Sequence, residues 1–152
     1  MSTIRLDFVS QDHPVFSGDV AEVIAPGAEG QLAILPKHAP LITILSPGEV
    51  VVKREEAEDL YFAVSGGWME VRPAKVTILA RTAERCDEID LQRAEAARAR
   101  AAELLASEVR SEERPRLESA LKRSQIRLKV ARRRGRRPGG PGPTEDFGEQ
   151  GK

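Results

Sequence analysis

The chain is poor in the residues from which small active sites are usually assembled. Its 152 residues include one cysteine, Cys86, and two histidines, His13 and His38. A lone cysteine excludes an internal disulfide framework and fits a reducing compartment. Two histidines without metal-ligand spacing give no basis for a zinc centre, so no metal is expected. Aromatic residues make up only 4%, with a single tryptophan and a single tyrosine, and that scarcity removes the stacking platforms of single-strand nucleic-acid binders. No apolar run approaches the roughly 20 residues that span a bilayer. Residues 1–10 show no basic leader before an apolar core, so no export signal is expected. Motifs for phosphate loops (G-x-x-x-x-G-K-S/T), dinucleotides (G-x-G-x-x-G) and nucleophile elbows (G-x-S-x-G) are missing. Catalysis by this chain alone is therefore not expected.

Net charge is also absent, with 24 basic and 24 acidic side chains. The balance hides an asymmetry. Residues 1–84 carry 7 basic and 12 acidic groups, whereas the remainder carries 17 and 12. Two pieces of opposite sign point to two domains with different partners.

Residues 1–84 read as β structure. Ile4, Leu6 and Phe8 alternate with Arg5, Asp7 and Val9, the period of a half-buried strand. Similar short runs occupy 20–25, 31–35, 49–53, 60–64, 68–72 and 75–81. Turn residues punctuate them at 17–19, 26–27, 46–48, 65–67 and 72–75. This spacing predicts an antiparallel sandwich or barrel. The pattern then switches to helix. Asp90 is placed to cap a run extending to Ala106. A second helix is predicted to start near 111–115, with Glu112 and Glu113 at its positive end and Pro115 in its first turn. Ala94, Ala97, Ala101, Leu104 and Leu105 on the first helix face a stripe of Leu117, Ala120, Leu121, Ser124, Leu128 and Ala131 on the second. Such narrow stripes predict a closely packed, weakly held hairpin. Residues 135–152 hold six glycines and three prolines and read as a disordered tail.

Three features bear on chemistry. Cys86 has Arg85 beside it, which would lower a thiol pKa, but no base or resolving cysteine accompanies it. Arg93 and Arg100 share one face of the first helix, and Arg123 and Arg127 share one face of the second. Asp90 stands one turn before Arg93. Converging, these guanidinium groups would suit a triphosphate; otherwise they form a solvated face with Glu95, Glu103 and Glu118 as partners. Spacing alone favours the solvated face. Residues 122–137 contain nine basic and no acidic side chains. This run fits an acidic protein surface, a helix C-terminus or a free-standing nucleic-acid adaptor.

Several stretches together resemble one family: Ile34-Leu35-Pro36-Lys37-His38-Ala39-Pro40-Leu41, Val64-Ser65-Gly66-Gly67-Trp68-Met69-Glu70-Val71, Val76-Thr77-Ile78-Leu79-Ala80 and Glu88-Ile89-Asp90-Leu91-Gln92-Arg93-Ala94. In this order they are similar to the epsilon subunit of the F-type proton-translocating ATP synthase, over residues 1 to about 134. Lys37 and Ala33 stand where that family usually has glycine. The resemblance implies an N-terminal sandwich of about ten antiparallel strands over 1–84, a two-helix regulatory domain over 85–134, and no catalysis. It implies binding to the gamma subunit and the c-ring, with Gly30, Gln31, Leu32, Lys37, His38, Ala39 and Pro40 as contact residues. It further implies a location on the cytoplasmic face of the cell membrane, as a peripheral part of the complex. The helices are expected to switch between a hairpin and an extended form that blocks ATP hydrolysis. Arg123, Arg127, Arg132, Arg133 and Arg134 would then meet the catalytic beta subunits beside the alpha subunits. No cofactor is implied as required. ATP is implied as a regulatory ligand of Glu84, Ile89, Asp90, Arg93, Arg100, Arg123 and Arg127, which reverses the preference drawn from spacing.

Overall fold

A computed structural model describes residues 2–133; Arg134 and the segment read as a tail lie outside the described residues. Eight strands precede two helices: β1 (Ile4–Ser10), β2 (Pro14–Val20), β3 (Glu22–Gly27), β4 (Gly30–Ile34), β5 (Leu41–Lys53), β6 (Leu60–Arg72), β7 (Lys75–Ala80), β8 (Ala83–Arg85), α1 (Leu91–Ala106) and α2 (Arg114–Ala131). The strand order is β2-β1-β7-β6-β5-β3-β4, with β8 beside β6.

The expected count of about ten strands resolves into eight because β5 and β6 do not break where the turn residues predict loops. Each is 13 residues long. Their antiparallel register continues from Leu45↔Gly67 to Pro47↔Ser65 and Gly48↔Val64. The first half of β5 and the second half of β6 join β7, and the other halves join β3 and β8. Residues 46–48 and 65–67 are thus bends that carry two strands from one layer of the sandwich into the other. Gly67 is required there: at φ +152°, a Cβ on it would lie 2.1 Å from the Leu79 carbonyl oxygen. Residues 17–19 are likewise strand, within β2. A further correction concerns direction, since β1 pairs with β7 in parallel.

Ile4, Leu6, Phe8, Phe62, Val64, Met69, Val71, Val76 and Ile78 fill the space between the layers. Phe8 and Phe62 meet edge to face at 5.0 Å, a contact that adds to their burial.

Both helices form close to their expected limits. Asp90 Oδ1 accepts from the Arg93 backbone N–H at 3.1 Å and caps α1. Pro115 occupies the first turn of α2, whereas Glu113 makes no side-chain cap. On α2, Ser124, Leu128 and Ala131 are buried and Leu117, Ala120 and Leu121 half-buried, as the stripe predicts. On α1 the inward face runs through Ala94, Arg98, Ala101 and Leu105, while Ala97 and Leu104 are exposed. The inward face thus steps through 94, 98, 101 and 105, rotated slightly from the expected stripe through 97 and 104, and both steppings fit a helix.

The hairpin lies on one outer face of the sandwich. Ile89, Ala94, Leu128, Val130 and Ala131 pack with Ala63 of β6, flanked by Tyr61, Cys86 and Ile126. The other outer face is bare. Ile44, Trp68 and Leu79 are directly cross-paired on β5, β6 and β7, and they are 51%, 55% and 53% exposed, with Ile42 at 70% beside them. No helix of the described residues is long and apolar enough to cross a membrane.

Candidate functional site

The turn joining β8 to α1 and the first turn of α1 contain the Ile89-Asp90-x-x-Arg93-Ala94 sequence. Packing accounts for most of it. Ile89 is 1% exposed and Ala94 is fully buried, so both fasten α1 to the sandwich. Asp90 caps the helix through the Arg93 amide. No ion pair joins Asp90 to the Arg93 guanidinium among the described residues, so the charge-assisted pair that their spacing suggests is not formed. Asp90 and Arg93 are the exposed side chains of the motif.

A cleft of about 900 Å³ opens between the sandwich and α2. From the sandwich, the β1–β2 turn, the β5 bend at Pro47, β6 up to Ser65, the β7–β8 turn and β8 reach it. Opposite stand Ala97 of α1 and residues 119–127 of α2. Of the expected ATP-site residues, Glu84, Arg123 and Arg127 line this cleft, whereas Ile89, Asp90, Arg93 and Arg100 do not. Ala97 lies between Arg93 and Arg100 on one helix face, which leaves those two arginines at the cleft margin.

Two ion pairs tie α2 and the turn that follows it to the sandwich. Arg127 Nη2 donates to Glu84 Oε2 at 3.0 Å. Arg127 Nε lies 2.7 Å from Oε1 of the same carboxylate, but off the line of a hydrogen bond, and it is a buried atom with no hydrogen-bond partner. Farther along, Arg133 Nε and Nη2 donate to the two carboxylate oxygens of Glu49 at 3.1 and 3.0 Å. The Arg133 guanidinium also lies 5.1 Å from the centre of the Tyr61 ring. Glu49 therefore pushes the Arg133 pKa further above its ordinary value, against partial desolvation. A two-pronged pair of this kind fixes orientation as well as charge. The sequence carried no sign of it, because Glu49 and Arg133 are 84 residues apart. Arg123 and Arg132 are exposed and in no ion pair among the described residues.

The expected ring-contact residues fall at the two ends of β4, in the hairpin before it and the loop after it. Gly30 and Gln31 are exposed at the β3–β4 hairpin, and Leu32 is half-buried behind them. The 35–40 loop is held by Lys37 N–H donating to the Pro73 carbonyl at 3.1 Å and His38 N–H to that of Leu35 at 3.2 Å. Ala39 and Pro40 are exposed there. Lys37 has φ +65°. A left-handed position explains why glycine would be at home in it, and lysine holds it at a cost of roughly 1–2 kcal/mol. The bare row of Ile42, Ile44, Trp68 and Leu79 was missed by sequence reasoning. Its signal was present: the 68–71 run is apolar on one face through Met69 and Val71 and carries Trp68 on the other.

Among the described residues no group of His, Cys, Asp and Glu could hold a metal ion. The model of the ATP synthase delta/epsilon chain beta-sandwich domain matches residues 3–86. That of the delta/epsilon chain long alpha-helix domain matches residues 87–132. The ATP synthase epsilon chain of Herpetosiphon aurantiacus is 46% identical over 131 residues, covering 86% of this chain and 96% of its own. That of Dehalococcoides mccartyi is 45% identical over 139 residues, covering 91% and 99%. Among solved structures, a chain of the Euglena gracilis mitochondrial ATP synthase (OSCP/F1/c-ring) superposes with a TM-score of 0.75 at 26% identity, covering 85% of this chain and 81% of that one. A chain of the Tetrahymena thermophila mitochondrial ATP synthase central stalk and c-ring shares the fold, with a TM-score of 0.62 at 15% identity and coverage of 86% and 97%. On its sequence and its two-domain fold, this chain belongs to the delta/epsilon chain family of ATP synthase.

Proposed function

We propose that the chain is a non-catalytic subunit of the central stalk of an F-type ATP synthase. The observation that carries this reading, beside family membership, is the bare apolar row on β5, β6 and β7. Apolar side chains aligned across three strands are costly to leave in water and mark a docking surface. The partner there is the gamma subunit. The loops around Gly30, Gln31 and Leu32 and around Lys37, His38, Ala39 and Pro40 lie toward the c-ring. The subunit thereby couples rotation to ATP synthesis, as a peripheral protein on the cytoplasmic face of the cell membrane.

The helical hairpin serves regulation. Arg127 and Arg133 neutralise Glu84 and Glu49 while the hairpin is docked. On undocking, the same cations become available to acidic surfaces of the alpha and beta subunits, together with Arg123, Arg132 and Arg134, and restrain ATP hydrolysis. Docking and inhibition would thus exclude each other. ATP would favour the docked form by binding Arg123 and Arg127 of α2, with Glu84, Asp90, Arg93 and Arg100 at its margins. The use of two of these cations within the fold also counts against a free-standing nucleic-acid adaptor.

Purification of a tagged chain from membranes tests the assembly. The wild type and a chain ending at Arg85 should both bring down the synthase subunits, whereas Trp68→Asp should not. Loss of the shortened chain, or retention of Trp68→Asp, would overturn this division of labour. Alanine at Arg123, Arg127, Arg132, Arg133 and Arg134 should raise membrane ATPase activity without loss of the subunit. Unchanged activity would remove the inhibitory role.

A further inference from the structure

Beyond the last turn of α2 the hairpin is fastened by a contact whose two partners have unequal roles. Glu49 and Val51 of β5 are cross-paired with Ala63 and Tyr61 of β6, so these four side chains share one patch of the covered outer face. Val130 and Ala131 at the end of α2 are buried against it. Arg133, two residues on, rests its guanidinium on both oxygens of Glu49 and 5.1 Å from the centre of the Tyr61 ring. The Glu49 side chain is 10% exposed, against 37% for Glu84 in the other pair. Both hydrogen bonds from Arg133 are formed, whereas Arg127 Nε has no hydrogen-bond partner. Of the two helices, α2 rests more on β5 and β6, and the 107–113 loop is exposed apart from Val109. The closing contact of the hairpin therefore lies at Arg133. When the hairpin lifts, Arg133 travels with α2, while Glu49 stays on the sandwich and regains water.

We propose that Glu49, with Tyr61, is a latch that holds Arg133 and the end of α2 on the sandwich with no ligand bound, and so sets how strongly the hairpin inhibits. The two-pronged pair and the ring contact give the latch its geometry. Its hold is modest, because a released Glu49 is rehydrated rather than left buried and unpaired, and a modest hold is what a reversible cover requires. The regulatory half of the proposal rests on the inhibitory role given above to Arg133. On that role Arg133 serves both positions of the hairpin, whereas Glu49 serves the docked one alone. Removing either charge frees the hairpin of the isolated chain. Within the synthase the two changes part: without Glu49 every inhibitory cation is kept and released, whereas without Arg133 one of them is lost.

Thiol labelling of Cys86 in the full-length chain, free of nucleotide, reads the latch. This single cysteine flanks the cluster beneath the hairpin and should react faster whenever the cover lifts. Glu49→Gln and Arg133→Gln should each speed labelling about fivefold, with the melting of the sandwich unchanged. The double variant should label no more than about twofold faster than either single one, because both remove the same pair. Arg116→Gln takes the same charge from an exposed position of α2 and should leave the rate unchanged. In membranes, Glu49→Gln should lower ATPase activity with the subunit retained, and Arg133→Gln should not. Unchanged labelling in Glu49→Gln, or a double variant in which the two effects multiply, would overturn the latch. Faster labelling with ATPase activity unchanged in Glu49→Gln would leave the latch standing and overturn its control of inhibition.

Discussion

The two outer faces of the sandwich both carry apolar side chains and meet different fates. On one, Ala63 and Tyr61 lie under Leu128, Val130 and Ala131 of the hairpin. On the other, Ile44, Trp68 and Leu79 form a row across three strands with nothing on it. The covered face sets an alanine and a tyrosine under the hairpin, and charge locks the cover in place through Glu49 and Glu84. The bare face uses large side chains, and Glu70, cross-paired with Ile42 there, is engaged by Arg72 of its own strand. Small apolar contacts with ion pairs make a cover that can lift, since their separate contributions are modest. Large aromatic and aliphatic side chains make a contact that stays closed once formed.

Breaking the bare face should have the largest effect. Trp68→Asp should weaken association with the rest of the complex by about 3 kcal/mol, upwards of a hundredfold. The stability of the isolated chain should change by no more than about 0.5 kcal/mol, because the site is exposed. Binding assays beside thermal melts check both halves. On the covered face, Leu128→Ala should cost about 2 kcal/mol of docking. Faster protease cleavage in the 86–90 connector, with the sandwich left whole, is the expected sign. Glu49→Gln should cost less, about 1 kcal/mol, by removing the charge opposite Arg133. Cleavage after α2 should accelerate, whereas the melting of the sandwich should hold.

The smallest effect is one of pH on the sandwich alone. Hydrogen bonds from Lys75 and then Ser17 hold the Asp7 carboxyl below its ordinary pKa, against slight desolvation. A carboxyl with a lower pKa in the fold than in the unfolded chain stabilises above its unfolded value. That contribution is lost as pH falls below about 4. Asp7→Asn should therefore flatten the acid limb of the stability curve slightly. Glu95, lowered by Arg98 within α1, should lose its slight support of that helix in the same acid range.

The sequence disclosed elements better than their junctions. Alternation at Ile4, Leu6 and Phe8 and the helical stripe through Ser124, Leu128 and Ala131 are local, and both were legible. The turn residues at 46–48 and 65–67 misled, because glycine and proline serve a strand that bends as well as one that ends. The parallel pairing of β1 with β7 joins segments about 70 residues apart and has no local signature. Of the candidate site, the motif was visible but its double use was not. Asp90 caps a helix and Ile89 and Ala94 pack, roles that emerge only when α1 lies on β6. The Glu49–Arg133 pair depends on tertiary contact and could not be read from spacing.

Hydroxyl-radical footprinting of the chain, alone and within the purified synthase, tests the central contrast most directly. Trp68, Ile44, Ile42 and Leu79 should react readily in the isolated chain and become protected together on assembly. Tyr61, already half-buried beneath the hairpin, should change little. Continued reaction of Trp68 in the complex, with new protection appearing on the hairpin side instead, would contradict the assignment of the bare face as the docking surface.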